Sequence, residues 1–293
     1  METKRIYADL RKEQAMNEAA ELLRKGQVVA FPTETVYGLG ANALDSSACA
    51  KIFKIKGRPA DNPLIIHVAS VEDARKLVRK WPQNAETCAR QFWPGPLTLV
   101  LPKADLIPDI ISGGLDTVAV RIPSQPIALD LIARAGCPIA APSANISGKP
   151  SPTEGDHVWH DLNGKIPLLI DGGKCEVGLE STVLDLSGDI PLILRPGGVT
   201  REQLEAVLGK VDIDPAAKDV LQESLKPKAP GMKYRHYAPR GEIIVIGGSS
   251  KQKADSFTAW LTRKKDKERI AILCFQETAG DLTQSALARA DLV

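Results

Sequence analysis

Aromatic residues are scarce, at 4% of the 293 positions. A surface that grips single-stranded nucleic acid by stacking needs several exposed rings, so this class of binder is disfavoured. An excess of one charge is lacking too: 38 basic against 36 acidic side chains leave a formal net charge of +2. The whole-molecule electrostatic case for nucleic-acid capture therefore fails. No stretch reaches the roughly 20 consecutive apolar residues that a membrane span requires. No apolar segment follows Met1–Arg5 either, so no membrane association, no signal peptide and a cytoplasmic location are expected. The cysteines Cys49, Cys88, Cys137, Cys175 and Cys274 lie far apart, with none of the short spacings of zinc or redox motifs. That pattern suits reduced thiols.

What is present is ordinary globular material, 43% hydrophobic and 25% charged. At this length one large domain plus a smaller one is the natural expectation. Met16, Ala19, Ala20 and Leu23 recur at helical spacing before Gly26, and Val28–Phe31 then reads as a short buried strand. A second helix is expected to start at Asp45 or Ser46, either of which can cap it, and to end before Gly57. Strands are predicted at Leu64–Val68, Leu97–Leu101, Thr117–Ile122, Ile139–Ala141, Leu168–Ile170, Thr182–Leu186 and Leu192–Leu194. Helices are predicted near Val71–Arg79, Ala85–Phe92, Pro126–Arg134 and Arg201–Leu208. Several strands follow one another directly, which favours an α/β domain with a twisted mixed sheet and flanking helices over a repeating parallel one.

This rhythm ends near Gly209. Up to Gly241 the chain is polar and carries Pro215, Pro227, Pro230 and Pro239, with Lys226, Lys228, Lys233, Arg235 and Arg240 but no acid from Lys226 to Arg240. It reads as a linker or long functional loop. Beyond it, Ile243–Ile246, a helix near Ala254–Arg263, Ile270–Phe275 and a helix near Thr283–Arg289 form a β-α-β-α pattern. The expected organisation is a domain at 1–208, a basic linker or lid at 209–241, and a small, incomplete Rossmann-like α/β domain at 242–293.

Two nucleotide signals fail on context. Gly38-Leu39-Gly40-Ala41-Asn42-Ala43 fits G-x-G-x-x-A, but Pro32 and polar Thr33–Thr35 separate it from the strand, so a plain turn is expected. Gly172-Gly173-Lys174 lacks the upstream glycine and following hydroxyl of a phosphate loop, and reads as a tight turn after Ile170. Lys56-Gly57-Arg58-Pro59 with Asn62-Pro63 is more informative. Two long cations on a stiff turn between helix and strand suit a polyphosphate, although an isolated Lys-x-Arg is usually a solvated loop. Similar polar turns weigh against that reading: Thr33–Thr35 after Phe31, Arg121 ending a strand, Ser143–Asn145 after Ala141, Glu180–Thr182, and Arg195 after Leu194. Polar groups gathered at strand ends of one sheet are where α/β ligand sites form.

His157 and His160 beside Asp156 and Asp161 read as surface-loop residues rather than metal ligands. His67, in an apolar strand just after the Lys-Arg turn, is either bonded to backbone or in contact with substrate. Neither Ser143 nor Ser181 sits in a nucleophile elbow, so covalent catalysis is not expected.

Taken together, these phrases resemble the YrdC-like family over residues 10 to 208. The likeness rests on Phe31–Leu39, Lys56–Pro59 with Asn62-Pro63-Leu64, Trp93–Thr98, Val120–Pro123, Pro142–Gly148, Ser181-Thr182-Val183 and Leu194–Gly197. Pro230–Pro239 is similar to the linker of its two-domain members, the L-threonylcarbamoyladenylate synthases. Those members usually have a fuller C-terminal domain than the one expected here. The resemblance implies a nucleotidyltransferase that converts L-threonine, bicarbonate and ATP into threonylcarbamoyl-AMP and pyrophosphate. The product would supply the transferase machinery that modifies the adenosine next to the tRNA anticodon.

By the same resemblance, Lys56 and Arg58 would be catalytic. Arg58, Asn62, Thr117, Ser143, Asn145, Ser151 and Arg195 would bind ATP, with Tyr234, Arg235 and His236 closing over it as a lid. Thr35, His67, Arg121, Ala141 and Ser181 would bind threonine. Mg2+ would be held mainly by the ATP phosphates, and no protein metal ligand is implied. Other readings are a non-catalytic RNA-binding module, with weak RNA contact through the basic groove, or a silent paralogue. A third is the carbamoyl-transfer protein of hydrogenase maturation, which has paired cysteines absent here.

Overall fold

Strands form in this chain where consecutive apolar residues serve two opposite layers. Val29 and Phe31 point into one core and Val28 and Ala30 into the other; Leu168 and Ile170 are likewise opposed to Leu169. This period of two, with both faces apolar, defines a sheet buried from both sides. The computed structural model describes residues 2–217, 243–261 and 270–282, and divides into two compact units, Met1–Ala238 and Pro239–Val293.

In the first unit the strands are β1 (Lys4–Tyr7), β2 (Val29–Phe31), β3 (Gly38–Asn42), β4 (Ile65–His67), β5 (Leu97–Pro102), β6 (Thr117–Arg121), β7 (Ile139–Ala140), β8 (Leu168–Asp171), β9 (Thr182–Asp185), β10 (Leu192–Arg195) and β11 (Asp212–Ile213). They make one mixed sheet in the order β1-β8-β2-β3-β7-β4-β6-β5-β9-β10-β11. The helices are α1 (Ala8–Arg24), α2 (Ser46–Lys56), α3 (Val71–Lys76), α4 (Gln83–Phe92), α5 (Asp109–Ser112), α6 (Pro126–Ala135), α7 (Gly155–Leu162) and α8 (Arg201–Leu208).

α2 starts where its cap dictates: the Asp45 carboxylate accepts from the N–H groups of Ser47 and Ala48 at 2.8 and 3.1 Å. It stops at Gly57, whose φ of 61° is left-handed and turns the chain toward Arg58. α2, α4, α7 and α8 cover one face of the sheet through residues such as Ile52, Ala89, Val158 and Leu204. α1 and α6 cover part of the other, with Met16, Leu23, Leu131 and Ile132. Over the rest of that second face, Ile65, Val100, Ala119, Val183 and Leu194 pack together, and among the described residues no helix residue joins this cluster.

Three segments depart from expectation. Gly38–Asn42 is not a turn but a strand, β3, between β2 and β7. Its glycine pattern reflects packing: a Cβ on Gly40 would lie 2.7 Å from the Phe31 ring and 2.8 Å from Ile139 Cγ2. His157, His160 and Asp161 sit on helix α7 rather than on a surface loop, because Val158 and Leu162 draw its apolar stripe onto the sheet. β1 was invisible to periodicity because only Ile6 of its four residues is buried.

The second unit contains α9 (Ser250–Leu261) and α10 (Gln276–Asp281), with a small core of Ala254, Leu261, Ile270 and Leu282. Among the described residues, Ile243–Ile246 and Ile270–Phe275 do not form the expected strands, apart from an isolated bridge residue at Ala271. Val245 and Leu273 are almost wholly exposed, so neither side chain is packed against a sheet layer. The helix expected at Thr283–Arg289 lies outside the described residues.

Candidate active site

Burying a polar group is unfavourable unless something satisfies it, so a concentration of buried polar side chains marks a built site. Thr33, Glu34, Thr35, Lys56, Asn62, His67, Arg121, Asn145 and Ser181 are each at most 5% exposed. All except Glu34 line one cavity of about 600 Å3, together with Arg58, Ala141, Ser143, Ser151, Glu180 and Arg195. Every described residue named for the site from sequence lines this cavity except Thr117, which begins β6, four residues from Arg121 at the strand's other end. Tyr234, Arg235 and His236 lie outside the described residues.

The cavity spreads onto the face of the sheet, not only along strand ends. β4 and β6 are parallel, with Ile65 opposite Ala119 and His67 opposite Arg121. Successive side chains of a strand alternate faces, so these four share one face, the one where no helix joins the strand cluster. The polar turns then fold over it from the ends of β2, β7, β9 and β10.

Arg121 is fixed on three sides. Its Nη2 donates to Glu34 Oε1 at 2.6 Å, Nη1 to Thr35 Oγ1 at 3.0 Å and Nε to the Gly95 carbonyl at 3.2 Å. A guanidinium has five N–H donors, so two of them are uncommitted among the described residues. Thr35 is itself placed by Thr33, whose Oγ1 lies 2.9 Å from Thr35 Oγ1 and bonds the Val36 carbonyl at 2.6 Å. His67 beside it is held neutral: burial, and then the charge of Arg121, push its imidazole down to about 3. Among the described residues its Nδ1 has no hydrogen-bond partner, and neither do Glu34 Oε2 and Asn62 Oδ1. On the far side, Ser181 Oγ lies 2.7 Å from Thr98 Oγ1, and Arg195 Nη2 bonds the Ser181 carbonyl at 3.0 Å.

Lys56 is turned inward. Its ammonium donates to the carbonyls of Ser143 and Asn145, the latter at 2.6 Å, and to Asn145 Oδ1 at 3.4 Å. Burial, and next the neighbouring Arg58, lower it to about 7, while Asp161 acts in the opposite sense. In this geometry Lys56 shapes the Ser143–Asn145 turn. Arg58 reaches back to the carbonyls of Asn62 and Pro63 at 3.2 and 2.8 Å, which braces the stiff turn that was read as a polyphosphate wall.

Sequence reasoning missed Thr98, Lys149 and the supporting role of Asp161, because each acts through a partner distant in the chain. Among the described residues, the one carboxylate lining the cavity is Glu180, and there is no group of three His, Cys, Asp or Glu able to bind a metal.

A family model described as "Telomere recombination", for the Sua5, YciO and YrdC proteins, matches residues 21–197. The chain belongs to the Sua5–YciO–YrdC family. A second model, described as "Threonylcarbamoyl-AMP synthase, C-terminal domain", matches residues 199–292, so this is a two-domain member of the Sua5–YciO–YrdC family. The chain is 59% identical over 230 residues to the threonylcarbamoyl-AMP synthase of Pyrococcus abyssi, covering 78% of this chain and 67% of that one. It is 47% identical to the enzyme of the same name from Bacillus subtilis, over 100% of this chain and 86% of the relative. Among solved structures, P. abyssi Sua5 complexed with L-threonine superposes with a TM-score of 0.87 at 47% identity, covering 99% of this chain and 86% of that one.

Proposed function

We propose that this protein is a threonylcarbamoyl-AMP synthase, which joins L-threonine, bicarbonate and ATP with release of pyrophosphate. The supporting observation is one cavity lined both by Arg121, Thr35, His67 and Ser181 and by Arg58, Ser143, Asn145 and Arg195; we assign the first group to threonine and the second to the nucleotide compartment. The relatives carry the same activity in their names, and the threonine-complexed neighbour matches nearly the whole chain.

The chemistry fits these residues. Threonine's amine and bicarbonate condense to a carbamate with loss of water, and a carbamate oxygen then attacks the α-phosphorus of ATP as pyrophosphate leaves. No protein nucleophile is needed, so the work is alignment and neutralisation of phosphate charge. We assign the threonine carboxylate to the two uncommitted N–H groups of Arg121, a planar fork suited to it. The phosphates are assigned to Arg58 and Arg195, with Ser143, Asn145, Ser151 and Asn62 completing the nucleotide site. Lys56 holds the Ser143–Asn145 turn in place. A magnesium ion carried by the triphosphate would add neutralising charge when bound.

The mixed anhydride is labile, so a transferase acting on tRNA is the expected consumer, and the cytoplasm the expected location. No helix among the described residues is long and apolar enough to cross a membrane. The decisive experiment supplies radiolabelled bicarbonate, threonine and ATP. Pyrophosphate release that requires both threonine and bicarbonate, with label in a labile adenylate, is the expected result. Tight, salt-sensitive RNA binding without pyrophosphate release would overturn the proposal in favour of a non-catalytic RNA-binding module.

A further inference from the structure

The segment Ser143–Lys149 is suspended between two buried charges of opposite sign. On one side Lys56 takes the carbonyls of Ser143 and Asn145, and its own carbonyl receives the Ser147 N–H at 2.9 Å. On the other side is Asp161, near the end of α7 and 7% exposed. Its Oδ2 accepts from the Ile146 N–H at 3.2 Å and its Oδ1 from Lys149 Nζ at 2.6 Å. The two anchors read opposite polarities of the same turn, since a cation can hold only its carbonyls and a carboxylate only its N–H groups. Between them, Asn145 Nδ2 ties the turn to itself through the carbonyls of Ile146 and Lys149 at 3.0 and 2.7 Å.

Asp161 does not line the cavity, whereas Ser143, Asn145, Ser147 and Lys149 do. A buried carboxylate needs a cationic or hydrogen-bonding partner to be tolerated, and both of its partners belong to this turn. We infer that Asp161 is a positioning residue of the nucleotide compartment, fixing the Ser143–Lys149 turn against Lys56. The inference rests on assigning that compartment to ATP. It extends to charge: the groups that bias Lys56 are Arg58, which disfavours its proton, and Asp161, which favours it. Loss of Asp161 therefore both slackens the turn and makes Lys56 easier to deprotonate.

Asp161→Asn keeps the shape of the side chain and removes its charge. It is expected to weaken the binding of a non-hydrolysable ATP analogue, read by calorimetry, by about tenfold, the worth of one charge-assisted hydrogen bond. The KM for threonine should stay within about twofold on the same scale. The fall of ATP affinity on the alkaline side should begin at lower pH than in the unsubstituted protein, and this displacement should vanish in a Lys56→Met background. Unchanged analogue affinity would overturn the inference. So would equal losses for ATP and threonine with an unmoved pH profile, the mark of general loosening, which thermal denaturation of Asp161→Asn would register separately. A protein that binds the analogue but makes no adenylate would refute the proposed reaction and leave this test intact.

Discussion

Glu34 and Arg121 form an ion pair of 2.6 Å in which neither side chain is more than 4% exposed. Such a pair contributes little net stability over an apolar substitute, but breaking it strands the remaining charge. Its value here is orientation. Glu34, Thr35 and Gly95 leave the guanidinium one way to face the cavity.

Arg121→Lys keeps the charge and loses the fork. It is expected to raise the KM for threonine roughly 10- to 100-fold, the range for a lost charged hydrogen bond, with a smaller effect on the KM for ATP. Steady-state kinetics with each substrate varied in turn would check this; equal effects on both would argue against Arg121 as the carboxylate ligand.

Arg58→Ala should lower turnover by more than about a hundredfold, the scale of removing one contact to charge developing in the transition state. The fold should survive, since Arg58 bonds the nearby carbonyls of Asn62 and Pro63 within its own turn. Pyrophosphate release beside a circular-dichroism melt separates the two effects, and near-normal turnover would remove Arg58 from the reaction.

His67 gives a pH prediction of definite sign. Its folded value of about 3 lies below the ordinary 6.5, so between these values the unfolded chain binds a proton that the folded one does not. Stability from this residue is therefore present above pH 6.5 and lost as pH falls toward 3. The stability difference between the protein and His67→Gln, measured by urea unfolding at pH 7 and pH 4.5, should shift in favour of the variant at the lower pH. A constant difference would contradict a neutral, buried imidazole.

Gly40→Ala places a methyl group against Phe31 and Ile139. Overpacking of this kind costs about 1–3 kcal/mol, and the urea midpoint should fall accordingly. Retained stability would mean that β2 and β7 can part without strain.

Much of the site was legible because its chemistry is local: Lys56-Gly57-Arg58, Thr33–Thr35 and Ser143–Asn145 each announce polar turns beside apolar strands. The direction in which Lys56 points was not legible, since its acceptors are 87 and 89 residues away. Gly38–Asn42 was misread because small residues demanded by a close neighbour look like turn residues when the neighbour is unseen. The two tight pairings that matter most, Glu34 with Arg121 and Asp161 with Ile146 and Lys149, are products of topology alone.

The register between β4 and β6 sets a limit on how this enzyme can vary in length. His67 and Arg121 face the same compartment only because they are direct partners across a ladder. A single-residue insertion or deletion within either strand would turn the inward set outward, delivering Ile66 or Val120 to the substrate in place of a histidine or an arginine. Length changes should accumulate in surface loops such as the one around Gly188, where a side chain would meet open space, and be nearly absent between Ile65 and His67.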